Sequence, residues 1–216
     1  MKSVIYLASK SPRRRELLSG LGFDVRVLAD AAAPRGYMPD DELQHPGEAP
    51  ERYVVRTAQE KFFEGLAARS ALAQHSPAAF DPSAPVVAAD TVVTSRGEVL
   101  GKPKDAEQAR AFLRALSGAV HEVRTAVFAG FSKDSMRSAV STSLVRMRPM
   151  TDAEIDAYIA TGEPFDKAGG YGIQGLAGIF IDRIEGSYTG IMGLPVFETA
   201  DILAELGVRA PFLCER

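Results

Sequence analysis

The chain has 216 residues, 46% of them hydrophobic and 25% charged, which suits one globular domain spanning residues 1–216 with a sizeable core. A net charge of −3 excludes a surface built to coat a nucleic-acid polymer, which needs a basic face, and no run approaches the roughly 20 apolar residues of a membrane helix. The single cysteine, Cys214, excludes an intramolecular disulfide, and the short apolar start meets Arg13, Arg14 and Arg15 too soon for a signal peptide, so a cytoplasmic protein is expected.

In chain order, Ser3–Ala8 reads as a short buried strand, rich in β-branched and aromatic residues. Ser11-Pro12 then opens a helix over Pro12–Leu21, with Ser as N-cap and Pro at the first helical position. Phe23–Leu28 resumes strand character, and Ala29–Pro50 is broken into loop by Pro34, Gly36, Pro39, Pro46 and Gly47. The longest helical pattern is Ala49–Gln74, with Tyr53, Val54, Ala58, Phe62, Leu66 and Ala67 on its expected buried face. After a loop at His75–Ala84, Pro85–Val93 is an apolar strand interrupted by a polar pair. A helix over Asp105–Leu116, strands over His121–Phe131 and Ser138–Arg148, and a short helix over Thr151–Ala160 follow. Thr151 and Glu154 give that last helix a capping-box pattern. A Gly-rich loop (161–175), a strand over Leu176–Ile184 and a helix over Pro195–Leu206 complete the chain. This order predicts an α/β protein with a mixed central sheet flanked by helices.

Charge is unevenly spread. Residues 1–30 hold six basic and three acidic side chains, a net of +3 in a chain that is negative overall. Arg13, Arg14 and Arg15 fall in a helix's first turn, at the positive end of its dipole, where only a bound anion makes cations welcome. With the hydroxyls of Ser9 and Ser11 they compose a phosphate cradle, or else a solvated basic turn. Asp90, inside Pro85–Val93, is costly to bury unless paired, hydrogen-bonded or coordinating a cation, the settings in which carboxylates act as bases or ligands. The alternative is a strand-end aspartate bonded to backbone. Lys61 on the long helix and Lys102, between Gly101 and Pro103, are its candidate companions. Gly170, Gly172 and Gly175 match G-x-G-x-x-G, but a turn precedes the motif and a strand follows, so a dinucleotide-binding reading fails. What is left is a Gly-rich loop that admits a ligand close to backbone, with Gln174 able to donate and accept against a nucleobase edge. His45, His75 and His121 lack metal-ligand spacing.

Taken together, LASKSPRRRELL, AADTVV, LGKP, LSGAVHEVRTAV, DKAGGYGIQG and GSYTGIMGLP, in this order from Leu7 to Glu198, resemble the Maf family of nucleoside triphosphate pyrophosphatases. The resemblance implies two lobes around a cleft, as in the inosine-triphosphate pyrophosphatases. It further implies hydrolysis of a nucleoside triphosphate to the monophosphate and diphosphate with Mg²⁺ or Mn²⁺, and a homodimer. The DKAGGYGIQG form is similar to the branch acting on dTTP and UTP; preference for 7-methyl-GTP is the neighbouring alternative. By motif position, Asp90 is the expected proton acceptor. Arg13, Thr91 and Gln174 fall where the family sets base preference, and Ser9, Arg14, Lys61 and Lys102 where it holds phosphates and assists catalysis. One departure stands out. Many members carry an acidic pair after the second strand, where this chain reads Asp30-Ala31-Ala32-Ala33, with Asp41 and Glu42 as substitutes further along. That departure keeps open a nucleotide-binding regulator of septum formation with weak turnover.

Overall fold

The computed structural model describes residues 3–28 and 44–213. The chain runs β1 (Val4–Leu7), α1 (Pro12–Gly20), β2 (Asp24–Val27), α2 (Pro50–His75), β3 (Val86–Ser95), β4 (Glu98–Leu100), α3 (Ala106–Leu116), β5 (Val120–Gly130), β6 (Arg137–Met147), α4 (Asp152–Ala160), β7 (Ile181–Glu185), α5 (Tyr188–Met192) and α6 (Val196–Glu205). Seven strands make one sheet in the order β2-β1-β3-β5-β6-β7, with β4 paired to β3. β1 is parallel to β2 and β3, whereas β4 is antiparallel to β3 and β7 to β6. The sheet is therefore mixed and flanked by helices, as the alternation of apolar segments predicts.

The chain condenses into two compact units, one of residues 1–90, 126–140 and 193–216, the other of residues 91–125 and 141–192. Each has its own apolar cluster. In the first, Ile5, Leu7, Val87, Ala89 and Val127 of the strands pack with Leu18 of α1 and with Ile202 and Leu203 of α6. In the second, Val93, Val123, Val145 and Met147 pack with Ala109, Leu113 and Leu116 of α3 and with Ile155, Tyr158 and Ile159 of α4. A fully buried side chain of this size contributes about 1.5–3 kcal/mol, so these clusters dominate the stability of their units.

α2 buries Val54, Thr57, Ala58, Lys61, Phe62 and Gly65, at spacings of three and four. Of the face expected from sequence, Tyr53 and Leu66 are only half-buried and Ala67 is exposed, because the true stripe runs through Thr57, Lys61 and Gly65 instead. Gly65 is there for space. A Cβ on it would stand 2.6 Å from Ala8 Cβ and 2.8 Å from Val86 Cγ1, so α2 sits directly on β1 and the start of β3.

The strand expected over Leu176–Ile184 forms only in its second half. Leu176–Phe180 is a 3-10 helix and only Ile181–Glu185 pairs as a strand. Ala177 and Phe180, three apart, are buried, while Leu176 and Ile179 are 57% and 73% exposed. That is the three-residue repeat of a 3-10 turn, not the alternation of a strand. The short β4 and α5 also escape a periodicity search, since neither completes two repeats.

Candidate active site

Ser9 follows β1 and is buried at 4% exposure. Its Oγ accepts a hydrogen bond from the Ser11 backbone N–H at 3.2 Å and from Arg14 Nη1 at 3.1 Å. Arg14 Nε donates to the Gly193 carbonyl at 2.8 Å. The loop before α1 is thus tied to α1's first turn and to the turn before α6. Ser11 occupies the N-cap position and Pro12 the first helical one, as expected, but the Ser11 hydroxyl does not bond a helix N–H, and the first turn has no acidic residue. Arg13 is half-buried beside Arg14, and Arg15 is exposed.

Asp90 is resolved more sharply. It is 8% exposed on β3, and both of its oxygens are engaged by α2. Lys61, 6% exposed, donates from Nζ to Oδ1 at 2.5 Å, and Thr57 donates from Oγ1 to Oδ2 at 2.6 Å. The strand-end alternative therefore fails, since Asp90 lies in the middle of β3 and is paired with side chains of α2. Thr57 and Lys61 are four apart, on one face of α2, so a single helix presents a hydroxyl and an ammonium to the two carboxylate oxygens. Two charges withdrawn from water are tolerable only because each has the other and a neutral donor completes the set. Thr57 is the residue that sequence reasoning missed. Its signal was there, a threonine one turn before Lys61 in an apolar stripe.

Neighbouring residues of a strand face opposite sides, and Thr91 follows that rule. While Asp90 turns to α2, the Thr91 hydroxyl lies 2.9 Å from Thr125 Oγ1 of β5. Thr125, fully buried, donates to the Gly190 carbonyl at 2.7 Å. Lys102 is exposed in the turn after β4, next to Gly101, whose carbonyl accepts the Gly169 N–H at 3.0 Å. Gly169 has a φ of 69° and lies where a Cβ would stand 2.9 Å from Val93 Cγ1. Only glycine fits that position.

The loop that carries Gln174 is built from inside. The Glu163 carboxylate accepts from the Tyr158 hydroxyl at 2.9 Å and from the Leu176 N–H at 3.0 Å. Lys167 Nζ donates to the Glu163 carbonyl at 2.8 Å. A Cβ on Gly175 would collide with the Glu163 carboxylate, and one on Gly172 with the Lys167 stem. These two glycines thus make room for the Glu163 and Lys167 side chains. Gln174 itself is exposed. Behind the loop, Tyr171 and His121 are buried edge-to-face, their hydroxyl and Nε2 2.6 Å apart, while His121 Nδ1 has no partner among the described residues. Burial alone drives the His121 imidazolium down to about pKa 4, and the Tyr171 phenol upward.

Of the expected site residues, Ser9 meets Arg14 and Lys61 meets Asp90, while Thr91 meets Thr125, which sequence reasoning did not single out. Asp30, the alanines after it, Asp41 and Glu42 lie outside the described residues. Among the described residues, no three His, Cys, Asp or Glu side chains cluster to hold a metal ion, and no helix is long and apolar enough to cross a membrane.

A family model described as "Maf-like protein" matches residues 4–206. The chain is 51% identical over 207 residues to the dTTP/UTP pyrophosphatase of Aromatoleum aromaticum, covering 94% of this chain and 95% of that protein. It is 51% identical over 207 residues to the dTTP/UTP pyrophosphatase of Bordetella avium, covering 96% of this chain and 97% of that protein. It is 48% identical over 210 residues to that of Chromobacterium violaceum, with 96% of each covered. With the matched model reaching from β1 to just past α6, this chain belongs to the Maf family.

Proposed function

We propose that this protein hydrolyses dTTP and UTP to the monophosphate and diphosphate. The observation that carries the reading is Asp90, a buried carboxylate held by a lysine and a threonine, in a chain half identical to proteins named for that activity. Water adds to the α-phosphorus, the bond to the bridging oxygen breaks and diphosphate leaves. Asp90 takes the water's proton. Thr57 and Lys61 fix the carboxylate's orientation, so no reorganisation is needed when the proton moves. Ser9, Arg14, Lys61 and Lys102 hold the phosphates, while Arg13, Thr91 and Gln174 read the base.

The donor set suits a divalent cation that borrows ligands from its substrate. Among the described residues each Asp90 oxygen accepts from one donor, leaving a lone pair on each, and Mg²⁺ is commonly held by one or two carboxylates together with substrate phosphates. When bound, Mg²⁺ or Mn²⁺ supplies charge neutralisation along the triphosphate. The same reading places the protein in the cytoplasm as a homodimer, bound to a small anion and not to a polymer.

The test is diphosphate release from dTTP, UTP, CTP, GTP and 7-methyl-GTP with Mg²⁺ or Mn²⁺. Release fastest from dTTP and UTP is expected. A maximum at 7-methyl-GTP, or binding without release from any nucleotide, would overturn the reading.

A further inference from the structure

Gln174 is presented by a turn. The Gly175 N–H donates to the Gly172 carbonyl at 3.0 Å, so Ile173 and Gln174 are the two central residues of a four-residue turn, and Gln174 is the exposed one. Both ends of the turn rest on side chains that come just before it in the chain. A Cβ on Gly172 would stand 2.7 Å from Lys167 Cε, and one on Gly175 would stand 2.3 Å from Glu163 Oε1. Gly175 has a φ of −102°, outside the left-handed region that favours glycine. It is the Glu163 carboxylate, and not the backbone, that leaves no room for a side chain there.

A carboxylate only accepts hydrogen bonds. Glu163 Oε1 accepts the Tyr158 hydroxyl at 2.9 Å, and Oε2 accepts the N–H of Leu176, the residue directly after the turn, at 3.0 Å. Tyr158 lies on α4, is 4% exposed within the apolar cluster of its unit and meets Phe180 edge-to-face. Burial first, and the Glu163 carboxylate second, push the Tyr158 phenol upward, which keeps its proton in place as the donor. One half-buried carboxylate thus ties a core residue of a helix to the backbone that ends the Gln174 turn.

We propose that Glu163 is a positioning residue for base selection, fixing the 172–175 turn so that the Gln174 amide meets the base at one set place. The inference rests on the reading of Gln174 as a base-contacting residue. Hydrogen bonds weaken steeply with misalignment, so an amide discriminates only when its position is held. A purine carries its polar edge further from the ribose than a pyrimidine does. A fixed turn therefore reads one ring size, and a loose one reads both. Selectivity for UTP over GTP is then set by a carboxylate whose two oxygens are both engaged within the protein.

The experiment compares kcat/KM for UTP and GTP in the wild type, Glu163→Ala, Glu163→Gln, Gln174→Ala and the double variant of Glu163→Ala with Gln174→Ala. Glu163→Ala should lower the UTP-to-GTP ratio about fivefold, a hydrogen bond's typical net value, chiefly through KM. Glu163→Gln should keep the wild-type ratio, because its amide oxygen accepts the Leu176 N–H while its nitrogen donates to a Tyr158 hydroxyl turned to accept. Once Gln174 is gone, losing Glu163 should leave the ratio where it was, which a general loosening of the unit would not do. The ratio is internal to each variant, so loss of folded protein cancels. If Glu163→Ala does not fold, Tyr158→Phe withdraws one of the carboxylate's donors and is read in the same way. A wild type that prefers UTP, with a ratio unchanged in Glu163→Ala or lowered equally with and without Gln174, would overturn this proposal and leave the proposed function standing. A wild type indifferent between UTP and GTP, or one that releases no diphosphate, overturns both.

Discussion

Asp90 and Thr91 are consecutive on β3, yet they belong to different units and to different kinds of chemistry. Among the described residues, the buried charged side chains are Lys61 and Asp90, both in the first unit. The second unit buries Thr94, Ser95, His121, Thr125, Ser141 and Ser143. A buried charge pair is strong and exacting, because either partner alone is a liability of several kcal/mol. Neutral hydroxyl contacts each store little energy. The first unit therefore buries a charge pair, the second only neutral polar groups.

The largest effect should come from Asp90→Asn. With the proton acceptor gone, diphosphate release should fall about a thousandfold. The amide also leaves Lys61 buried without its counter-charge, so stability should drop by about 3 kcal/mol. Turnover must be measured per folded molecule, and normal turnover there would remove Asp90 from its role. Lys61→Met tests the charge pair from the other side. About 3–5 kcal/mol should be lost in urea unfolding, because Asp90 is left buried and uncompensated. Arg137→Met, which breaks an exposed pair with Glu205 in the same unit, should cost less than about 1 kcal/mol.

In the second unit the sensitive group is His121. Its ring stays neutral in the fold down to about pH 4, while in the unfolded chain it protonates near 6.5. Between these values the unfolded state binds the extra proton, so stability is lost as pH falls through that window. The loss approaches about 3 kcal/mol, and subtracting the pH profile of His121→Gln from that of the wild type isolates it. Should the two profiles run parallel, the neutral-network account of this unit is wrong. Gln174→Ala should be mildest. Exposed as it is, it should change stability by less than about 0.5 kcal/mol, yet shift the UTP-to-GTP ratio of rates more than their sum. An equal fall on every nucleotide would make Gln174 structural.

Much of the fold was legible because long periodic segments declare themselves. The helix Pro50–His75 and the capping box of Thr151 and Glu154 stand where their residues predict. The Leu176–Phe180 turn was misread because an apolar run of five fits a strand and a 3-10 helix equally well until burial is known. At the site, an aspartate in an apolar strand demanded a partner, but no spacing identifies which lysine 29 residues away supplies it. Thr125 was invisible for a related reason. A threonine is unremarkable in a helix or strand until the atom opposite it is known. Arg14 was legible as a cation beside a helix start, whereas its bond to the Gly193 carbonyl depends on chain returning from 179 residues away.

The boundaries of the two units have a consequence for engineering and for descent. They fall between residues 90 and 91, 125 and 126, 140 and 141, and 192 and 193, the first three inside β3, β5 and β6. Neither unit is one stretch of gene, so neither can be excised, shuffled or transplanted by a single recombination event without cutting strands. A chimera that borrowed another protein's second unit would need four seams, three of them through paired backbone. Either unit of such a chain is thus open to change by point substitution and closed to exchange as a cassette.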